Sequence, residues 1–286
     1  MKVVVTGAAG QLGTAVCREL VRAGHEVVGT DRRETAELDL ALIVADLRDP
    51  QAAYRLLEGA SAVVHLGNIP SLGAGPMPQV VLANNVAMNA NVFRAAVDFG
   101  IRRVVFASSL QAMIRLDEGR APDAPLTIPY FPLDGDAPAN PGNNFYGLSK
   151  EFGERMLRLF CERDPELAAT ALRFPMLASE AFCARLAQPQ PVSALNWFEG
   201  LTYLSFADAA RLIKHVVERQ RSGYHQYFPA QTFSIAGFSP AAIVAKFFAG
   251  IPLRVPAAKL ESLVDWSALE NDLGFRPASP LAVELM

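Results

Sequence analysis

Residues 2–13 read KVVVTGAAGQLG, an apolar β-branched run followed by Gly7, Gly10 and Gly13 at a spacing of three. The run predicts a buried strand over 2–6, and helical spacing of apolar residues begins directly after it, over 11–23. Glycine suits a sharp turn, a close approach of the backbone to a pyrophosphate and close packing of a helix on a strand. The helix N-terminus adds free N–H groups and a partial positive charge, so this stretch predicts a dinucleotide site.

The acid that follows favours NAD over NADP. Asp31 comes 24 residues after Gly7, at the end of the second predicted strand, where a carboxylate accepts hydrogen bonds from a ribose and repels a 2′-phosphate. Arg32 and Arg33 leave an alternative open, because an arginine beside the acid either holds a 2′-phosphate or belongs to a solvated turn. Asp46-Leu47, after the third predicted strand, is placed either to contact adenine or to cap a helix.

Outward from this unit, strands and helices alternate strictly. This predicts an α/β fold with a doubly wound parallel sheet. The predicted strands are 26–29, 42–45, 62–66, 103–107 and 170–174, and the predicted helices are 51–57, 78–99, 144–163 and 206–219. Residues 1–175 and 201–221 are expected to form the dinucleotide-binding core, and 176–200 and 222–286 a small substrate-binding lobe. Six prolines within 121–142 predict an extended surface loop.

The composition excludes several classes of function. The chain has 286 residues, 51% hydrophobic and 19% charged, with a formal net charge of -3 and no block of basic residues, so neither nucleic acid nor anionic lipid is an expected partner. No apolar run is long enough for a membrane span. Three cysteines without a close pair favour a reducing compartment, and we expect a cytoplasmic protein. The histidines lack companions at ligand spacing, so we predict no metal.

A second group of residues points to catalysis. Tyr146 and Lys150 are four residues apart on one face of a predicted helix, so the ammonium can lower the phenol pKa and make the phenol a general base toward an alcohol. Ser108-Ser109 follows the strand that ends at Ala107, where parallel sheets place ligand contacts. A hydroxyl there can bond the reacting oxygen. His65, at another strand end, is expected to be packed, with a substrate contact as the alternative.

Together with His65-Leu66-Gly67, Asn85-Val86 and Arg173-Phe174-Pro175, these motifs resemble the extended short-chain dehydrogenase/reductases, the NAD-dependent epimerase/dehydratase family, over residues 2–216. The resemblance implies a Rossmann core, a homodimer and a catalytic set of Ser109, Tyr146 and Lys150, in which Lys150 binds the nicotinamide ribose. The cofactor contacts expected in this chain are Gly7, Gly10, Gln11, Leu12, Gly13, Asp31, Arg32, Asp46, Leu47, Leu66, Gly67, Asn85, Ala107, Tyr146, Lys150 and Pro175.

Within that family the chain looks most like uronate dehydrogenases, although Leu110 and Pro175-Met176 replace an asparagine and a Gly-Ser that those enzymes usually carry. We predict an NAD-dependent oxidoreductase that takes a hydride from a carbinol carbon of a sugar, sugar acid or related polyol. The alternatives are a nucleotide-sugar epimerase or dehydratase and a dinucleotide-binding sensor without turnover. Few basic residues in the lobe count against a diphosphate clamp.

Overall fold

The computed structural model describes residues 1–70, 77–115, 117, 127–191, 201–278 and 280–286. The strands are β1 (Lys2–Thr6), β2 (Glu26–Asp31), β3 (Leu42–Val44), β4 (Ala62–His65), β5 (Arg103–Ser109), β6 (Ala168–Phe174), β7 (Met176–Ala178), β8 (Thr202–Ser205), β9 (Gly223–Tyr227), β10 (Gln231–Ile235) and β11 (Leu281–Val283). Seven of them form a parallel sheet in the order β3-β2-β1-β4-β5-β6-β9. The predicted fold class is confirmed.

Helices cover both faces of this sheet. The helices of the described ranges are α1 (Gln11–Arg22), α2 (Pro50–Leu57), α3 (Pro78–Asp98), α4 (Phe145–Arg163), α5 (Glu180–Leu186), α6 (Phe206–Arg219), α7 (Pro240–Phe247) and α8 (Ser267–Leu273). The apolar sides of α1, α6 and α8 pack on one face, and those of α2, α3 and α4 pack on the other. Strands covered on both faces need continuous apolar runs, as in the fully buried Val3-Val4-Val5. None of the helices in the described ranges is both long and apolar enough to cross a membrane.

The strand order determines where a ligand can bind. β1 lies between β2 and β4, and the chain runs outward from β1 in one direction through β2 and β3 and in the other through β4, β5 and β6. Ligands of such sheets bind outside the carboxyl ends of the strands, where the order reverses. The glycine loop after β1 and the segment after β4 meet at this point, which positions the candidate site.

The second sheet, in the order β11-β10-β8-β7, forms a smaller lobe with its own core. Tyr203 of β8 stacks on Phe233 of β10 with ring centroids 4.7 Å apart. Apolar residues of α5 and α7 pack against this sheet. Ser205, at the end of β8, caps α6 by accepting a hydrogen bond from the Asp208 N–H, so the lobe sheet continues directly into a helix of the large sheet.

Two strands fall outside the ranges that we expected from the sequence. β8 lies in the small sheet, whereas the sequence predicts residues 201–221 in the core. β9 extends the large sheet, whereas residues from 222 onward are predicted in the lobe.

The proline-rich segment also differs from its prediction as a surface loop. Within its described part, 127–142, Ile128, Phe131 and Leu133 are buried in the lobe core. Phe131 and Leu133 also form β-bridges to Leu253 and Val264. Apolar side chains between the prolines supply this packing, because proline interrupts helices and strand ladders but does not prevent burial.

Candidate active site

The glycine loop folds as a tight turn against the segment after β4. Gly7 has φ +71°, a conformation that favours glycine, and a Cβ on it would lie 2.9 Å from the Gly67 nitrogen. A Cβ on Gly13 would lie 2.1 Å from the Gly7 carbonyl oxygen, so α1 can approach its strand only with glycine there. Gly10 precedes α1 and offers no side-chain cap to it. The N–H groups at this end of α1 therefore suit an anion.

A cleft of about 380 Å³ opens at this turn. It joins a glycine-lined wall and a helix N-terminus to an acidic side chain at the end of β2, a combination that fits a dinucleotide. Of the predicted cofactor residues, Gly7, Gly10, Asp31, Arg32, Leu47, Leu66 and Gly67 line this cleft. Its other lining residues are Thr30, Arg33, Ala45, Asn68, Ile69, Pro70 and Met88.

Backbone N–H groups hold the carboxylate of Asp31 in place. Its carboxylate accepts hydrogen bonds from the N–H groups of Ala9 at 3.2 Å, Arg32 at 2.7 Å and Arg33 at 3.3 Å. These bonds join the end of β2 to the glycine loop. They orient the carboxylate, which lies on the wall of the cleft.

Asp46 is engaged differently. Its carboxylate pairs with the Arg48 guanidinium, and that hydrogen-bonded pair lowers the pKa of Asp46 to about 2. The residue that caps α2 is Asp49, which accepts from the Gln51 N–H at 3.0 Å. The helix-cap interpretation of Asp46 is therefore wrong. Its contact with adenine stays a prediction.

The start of α4 packs tightly on the turn that follows Ser109. A Cβ on Gly147 would lie 2.2 Å from the carbonyl oxygen of Gln111, and Asn144 Nδ2 donates to Gln111 Oε1 at 2.9 Å. The Ser109 hydroxyl caps the turn by accepting from the Gln111 N–H at 3.1 Å. The glycine after Tyr146 thus lets the helix that carries Tyr146 approach the strand end that carries Ser109.

Lys150 is buried below Tyr146. Its ammonium donates to Asn68 Oδ1 and to the Ala107 carbonyl, both at 2.7 Å, and lies 5.4 Å from the centroid of the Tyr146 ring. Burial lowers the pKa of Lys150 to about 7. Lowering of the Tyr146 pKa by this charge stays a prediction. The structure therefore gives the Tyr146 and Lys150 pair the geometry predicted from their spacing.

Several other predicted cofactor residues lie next to the cleft or in the elements around it. Asn85 is buried. Its Oδ1 accepts a hydrogen bond from the Ile69 N–H, and its Nδ2 donates to the Ile69 carbonyl and to Ser149 Oγ. Pro175 lies between β6 and β7. Gln11, Leu12 and Gly13 form the first turn of α1. Asn85, Ala107, Pro175 and these three do not line the cleft, and the cofactor contacts of all the predicted residues stay predictions.

His65 is packed rather than open to the cleft. It is 1% exposed, with Nδ1 bonded to the Thr6 hydroxyl at 2.7 Å and Nε2 bonded to Asn89 Oδ1 at 3.0 Å. Burial lowers the pKa of His65 to about 3, so the ring is neutral. Among the residues that the structure describes, no group of three His, Cys, Asp or Glu side chains could hold a metal.

Asn68 belongs to the site although the sequence motifs do not predict this. This residue lines the cleft and contacts Lys150, although 82 positions separate the two. A signal was present, because a polar residue just beyond the carboxyl end of a parallel strand is placed to reach a ligand. Asn68 follows Gly67 in that position.

A family model for the NAD dependent epimerase/dehydratase family matches residues 3–191. The chain is 35% identical to the 2-alkyl-3-oxoalkanoate reductase of Stenotrophomonas maltophilia over 60% of its own length and 50% of that protein's. It is 28% identical to the uronate dehydrogenase of Pseudomonas putida over 74% of its own length and 70% of that protein's. The match therefore spans only half of the reductase.

The fold is also found in a solved structure. The UDP-glucose 4-epimerase of Bifidobacterium longum, in complex with NAD+ and UDP, aligns with a TM-score of 0.69 at 19% identity, covering 98% of this chain and 94% of that one. The glycine loop, the Tyr146 and Lys150 pair and the family model point the same way. The chain belongs to the NAD-dependent epimerase/dehydratase family.

Proposed function

We propose that the protein is an NAD-dependent oxidoreductase that oxidises a carbinol carbon of a sugar, sugar acid or related polyol. The observation that carries the proposal is the Tyr146 and Lys150 pair, on a helix whose start packs against the turn after Ser109. The pair lies on the same edge of the sheet as the cleft, since Asn68 of the cleft bonds Lys150. A base and a dinucleotide site at one edge support oxidation of an alcohol.

In the proposed reaction, the Ser109 hydroxyl bonds the substrate oxygen and Tyr146 Oη takes the proton of the substrate hydroxyl. The Lys150 ammonium favours the ionised phenol that this step needs. When bound, NAD supplies the hydride acceptor. The substrate thus loses one hydride from carbon and one proton from oxygen, and a carbonyl forms. Gly7, Gly10 and the N-terminus of α1 would hold the pyrophosphate, and Asp31 the adenosine ribose.

Two arginines of the lobe support a substrate without a diphosphate. In its described part, Arg254 pairs with Asp134 and Asp265, and Arg276 pairs with Glu270. Guanidinium groups engaged with carboxylates are poorly placed to clamp phosphates. The uronate dehydrogenase among the relatives supports a free sugar acid. Leu110 packs in the lobe core and offers no polar contact, so we propose the wider class rather than uronate itself.

The test is turnover by the purified protein with NAD or NADP against uronic acids, aldoses, UDP-sugars and a 3-oxoalkanoate, following reduced nicotinamide and sugar products separately. We expect NADH to accumulate with a free sugar or sugar acid. The Tyr146→Phe variant should lose nearly all turnover, while the control Tyr54→Phe, whose hydroxyl bonds Asp98 at the surface, should keep it.

Three results would contradict the proposal. A UDP-sugar converted without net NADH would mean an epimerase. Turnover of the 3-oxoalkanoate alone would mean a different substrate class. NAD binding without turnover of any compound, unchanged by Tyr146→Phe, would mean a sensor.

We also propose a cytoplasmic homodimer that pairs through α3 and α4. Val80 of α3 and Phe152 and Leu159 of α4 are at least 38% exposed, and pairing would cover them. Light scattering should give twice the chain mass, and Phe152→Glu should halve it. A single-chain mass for the unmodified protein at every concentration would overturn the dimer.

A further inference from the structure

A carboxamide faces the buried lysine from the wall of the cleft. Asn68 Oδ1 accepts a hydrogen bond from Lys150 Nζ at 2.7 Å, and the Ala107 carbonyl accepts a second one at the same distance. We propose that Asn68 is a positioning residue that holds the Lys150 ammonium beside Tyr146. The proposal deepens the function proposed above and rests on it for the role of Tyr146.

The orientation of the carboxamide is fixed from its other end. Asn68 Nδ2 donates to Asn89 Oδ1 at 2.9 Å and to the Gly67 carbonyl at 3.3 Å. Both protons of the amide nitrogen are thereby used, so the oxygen is the atom turned toward Lys150. Asn89 is itself fully buried, and its Nδ2 donates to the Ser149 carbonyl on α4 at 3.4 Å.

The network continues to the glycine loop. The Thr6 hydroxyl oxygen accepts from the N–H groups of Leu66 and Gly67, so its own proton goes to His65 Nδ1. His65 Nε2 therefore carries the ring proton and donates it to Asn89 Oδ1. One consistent set of donors and acceptors thus runs from Thr6 to Lys150, and a buried polar network of this kind is rigid when every member is satisfied.

No carboxylate is hydrogen-bonded to the Lys150 ammonium among the contacts described, so the neutral oxygen of Asn68 contributes to stabilising its charge. Tyr146 and Glu154 face it from its own helix, His65 faces it from β4, and β5 contributes the Ala107 carbonyl and the Phe106 ring. Glu154 is engaged in a buried ion pair with Arg173. Burial disfavours the ammonium, while the two oxygens that accept from it favour it. Loss of the Asn68 oxygen should therefore discharge Lys150 at a lower pH.

The test measures the pKa of Lys150 directly, without substrate or cofactor. The chain has five lysines, so NMR of protein labelled with ¹⁵N-lysine can follow Lys150 after its signal is assigned with Lys150→Arg. We expect Asn68→Ala to lower the pKa of Lys150 by about one unit, because a hydrogen bond to a charged group is lost. Asn68→Asp should raise it by about one unit or more, since an anion then faces the ammonium.

The matched control is Thr170→Val, which removes another buried side-chain bond, from Thr170 Oγ1 to Gln220 Oε1 at 3.0 Å. It should leave the pKa of Lys150 unchanged. The same Lys150 pKa in the unmodified protein and in both folded Asn68 variants would overturn the inference.

Kinetics separate this inference from the proposed function. If the unmodified protein turns over a substrate, kcat/KM of Asn68→Ala at pH 7 should fall roughly tenfold, because less of Lys150 is charged at that pH. The loss of activity that accompanies discharge of Lys150 should occur about one pH unit lower than in the unmodified protein. Shifted lysine pKa values in a protein that turns over nothing would support the positioning role and contradict the proposed function. Turnover in the unmodified protein, with the same Lys150 pKa in the Asn68 variants, would support the proposed function and contradict the positioning role.

Discussion

The carboxylate of Asp31 accepts three backbone N–H groups at the wall of the cleft, with Arg32 and Arg33 next to it. We predict that Asp31→Ala raises the affinity for NADP relative to that for NAD about tenfold, because the repulsion of a 2′-phosphate disappears while both arginines remain. Dissociation constants for the two cofactors from titration calorimetry check this. Glu34→Gln, which removes a nearby exposed charge outside the cleft, is the control, and an unchanged preference in Asp31→Ala would contradict the assignment.

His65 gives a pH dependence of stability whose sign can be worked out. Its pKa is about 3 in the folded protein, lowered by burial from 6.5, so the unfolded chain binds more protons between these values. Stability should therefore fall as the pH decreases from about 6.5 toward 3, with a slope that approaches about 1.4 kcal/mol per pH unit from this group.

We predict that His65→Gln, which can still bond Thr6 and Asn89, lacks this component. Urea unfolding at pH 7, 6, 5 and 4.5 measures the slope for each protein. The control His225→Gln changes a histidine outside the buried network, bonded to the Ser222 carbonyl. Parallel stability curves for the unmodified protein and His65→Gln would contradict the prediction.

At the scale of elements, the approach of α4 to the end of β5 depends on Gly147. Its Cβ would meet the Gln111 carbonyl at 2.2 Å, and a backbone atom cannot move aside as a flexible side chain does. We predict that Gly147→Ala displaces Tyr146 from Ser109 and lowers kcat/KM about 100-fold. Steady-state kinetics on the folded variant measure this, with Glu162→Ala in the last, exposed turn of α4 as the control. Full activity of Gly147→Ala would contradict this account.

Most elements of the large sheet were predictable because each carries a local pattern. The helix predicted over 206–219 has those bounds, and the one predicted over 144–163 begins one residue later because Asn144 is its cap. The lobe was not predictable in the same way. Its strands have three to five residues, too few to show a period, and β10 pairs with β11 nearly fifty residues later. Such pairings depend on the tertiary fold.

The site was predictable to the extent that its residues lie in contiguous motifs. The glycine loop, the Ser108-Ser109 pair and the Tyr146 to Lys150 spacing are each recognisable as a local motif. The parallel sheet brings the carboxyl ends of β1 and β5, where the first two lie, to one edge. The contact of Asn68 with Lys150 lies in no local motif, because it joins the segment after β4 to α4 across 82 positions. Asp46 shows that a local position can also mislead, because its carboxylate pairs with Arg48 while Asp49, three residues later, caps α2.

At the scale of the whole molecule, one buried ion pair joins four parts of the chain. Arg173 of β6 binds both carboxylate oxygens of Glu154 on α4, at 2.9 and 2.7 Å. Ser108 of β5 donates to Glu154, and the Gly135 and Ala137 carbonyls accept from Arg173. We predict that Glu154→Gln lowers the free energy of unfolding by about 3–5 kcal/mol, because it leaves a buried guanidinium without a counter-charge.

Urea denaturation followed by circular dichroism measures this loss. Glu19→Gln, which breaks the surface pair with Arg22, is the control and should cost no more than about 1 kcal/mol. An equal loss in the two variants would contradict the central role of the buried pair. The double variant Glu154→Leu with Arg173→Leu should lose less than the two single changes summed, because it leaves no lone charge.

The packing of 127–142 has a consequence for recombining members of this family. Phe131 and Leu133 are bridged to Leu253 and Val264 of the lobe, yet the same segment leads within a few residues into the helix that carries Tyr146. The interface of the lobe is therefore encoded at two distant places in the gene. A chimera that grafts only a foreign C-terminal region would leave Phe131 and Leu133 facing partners they do not match. A graft with a coherent core has to carry residues 127–137 from the same parent.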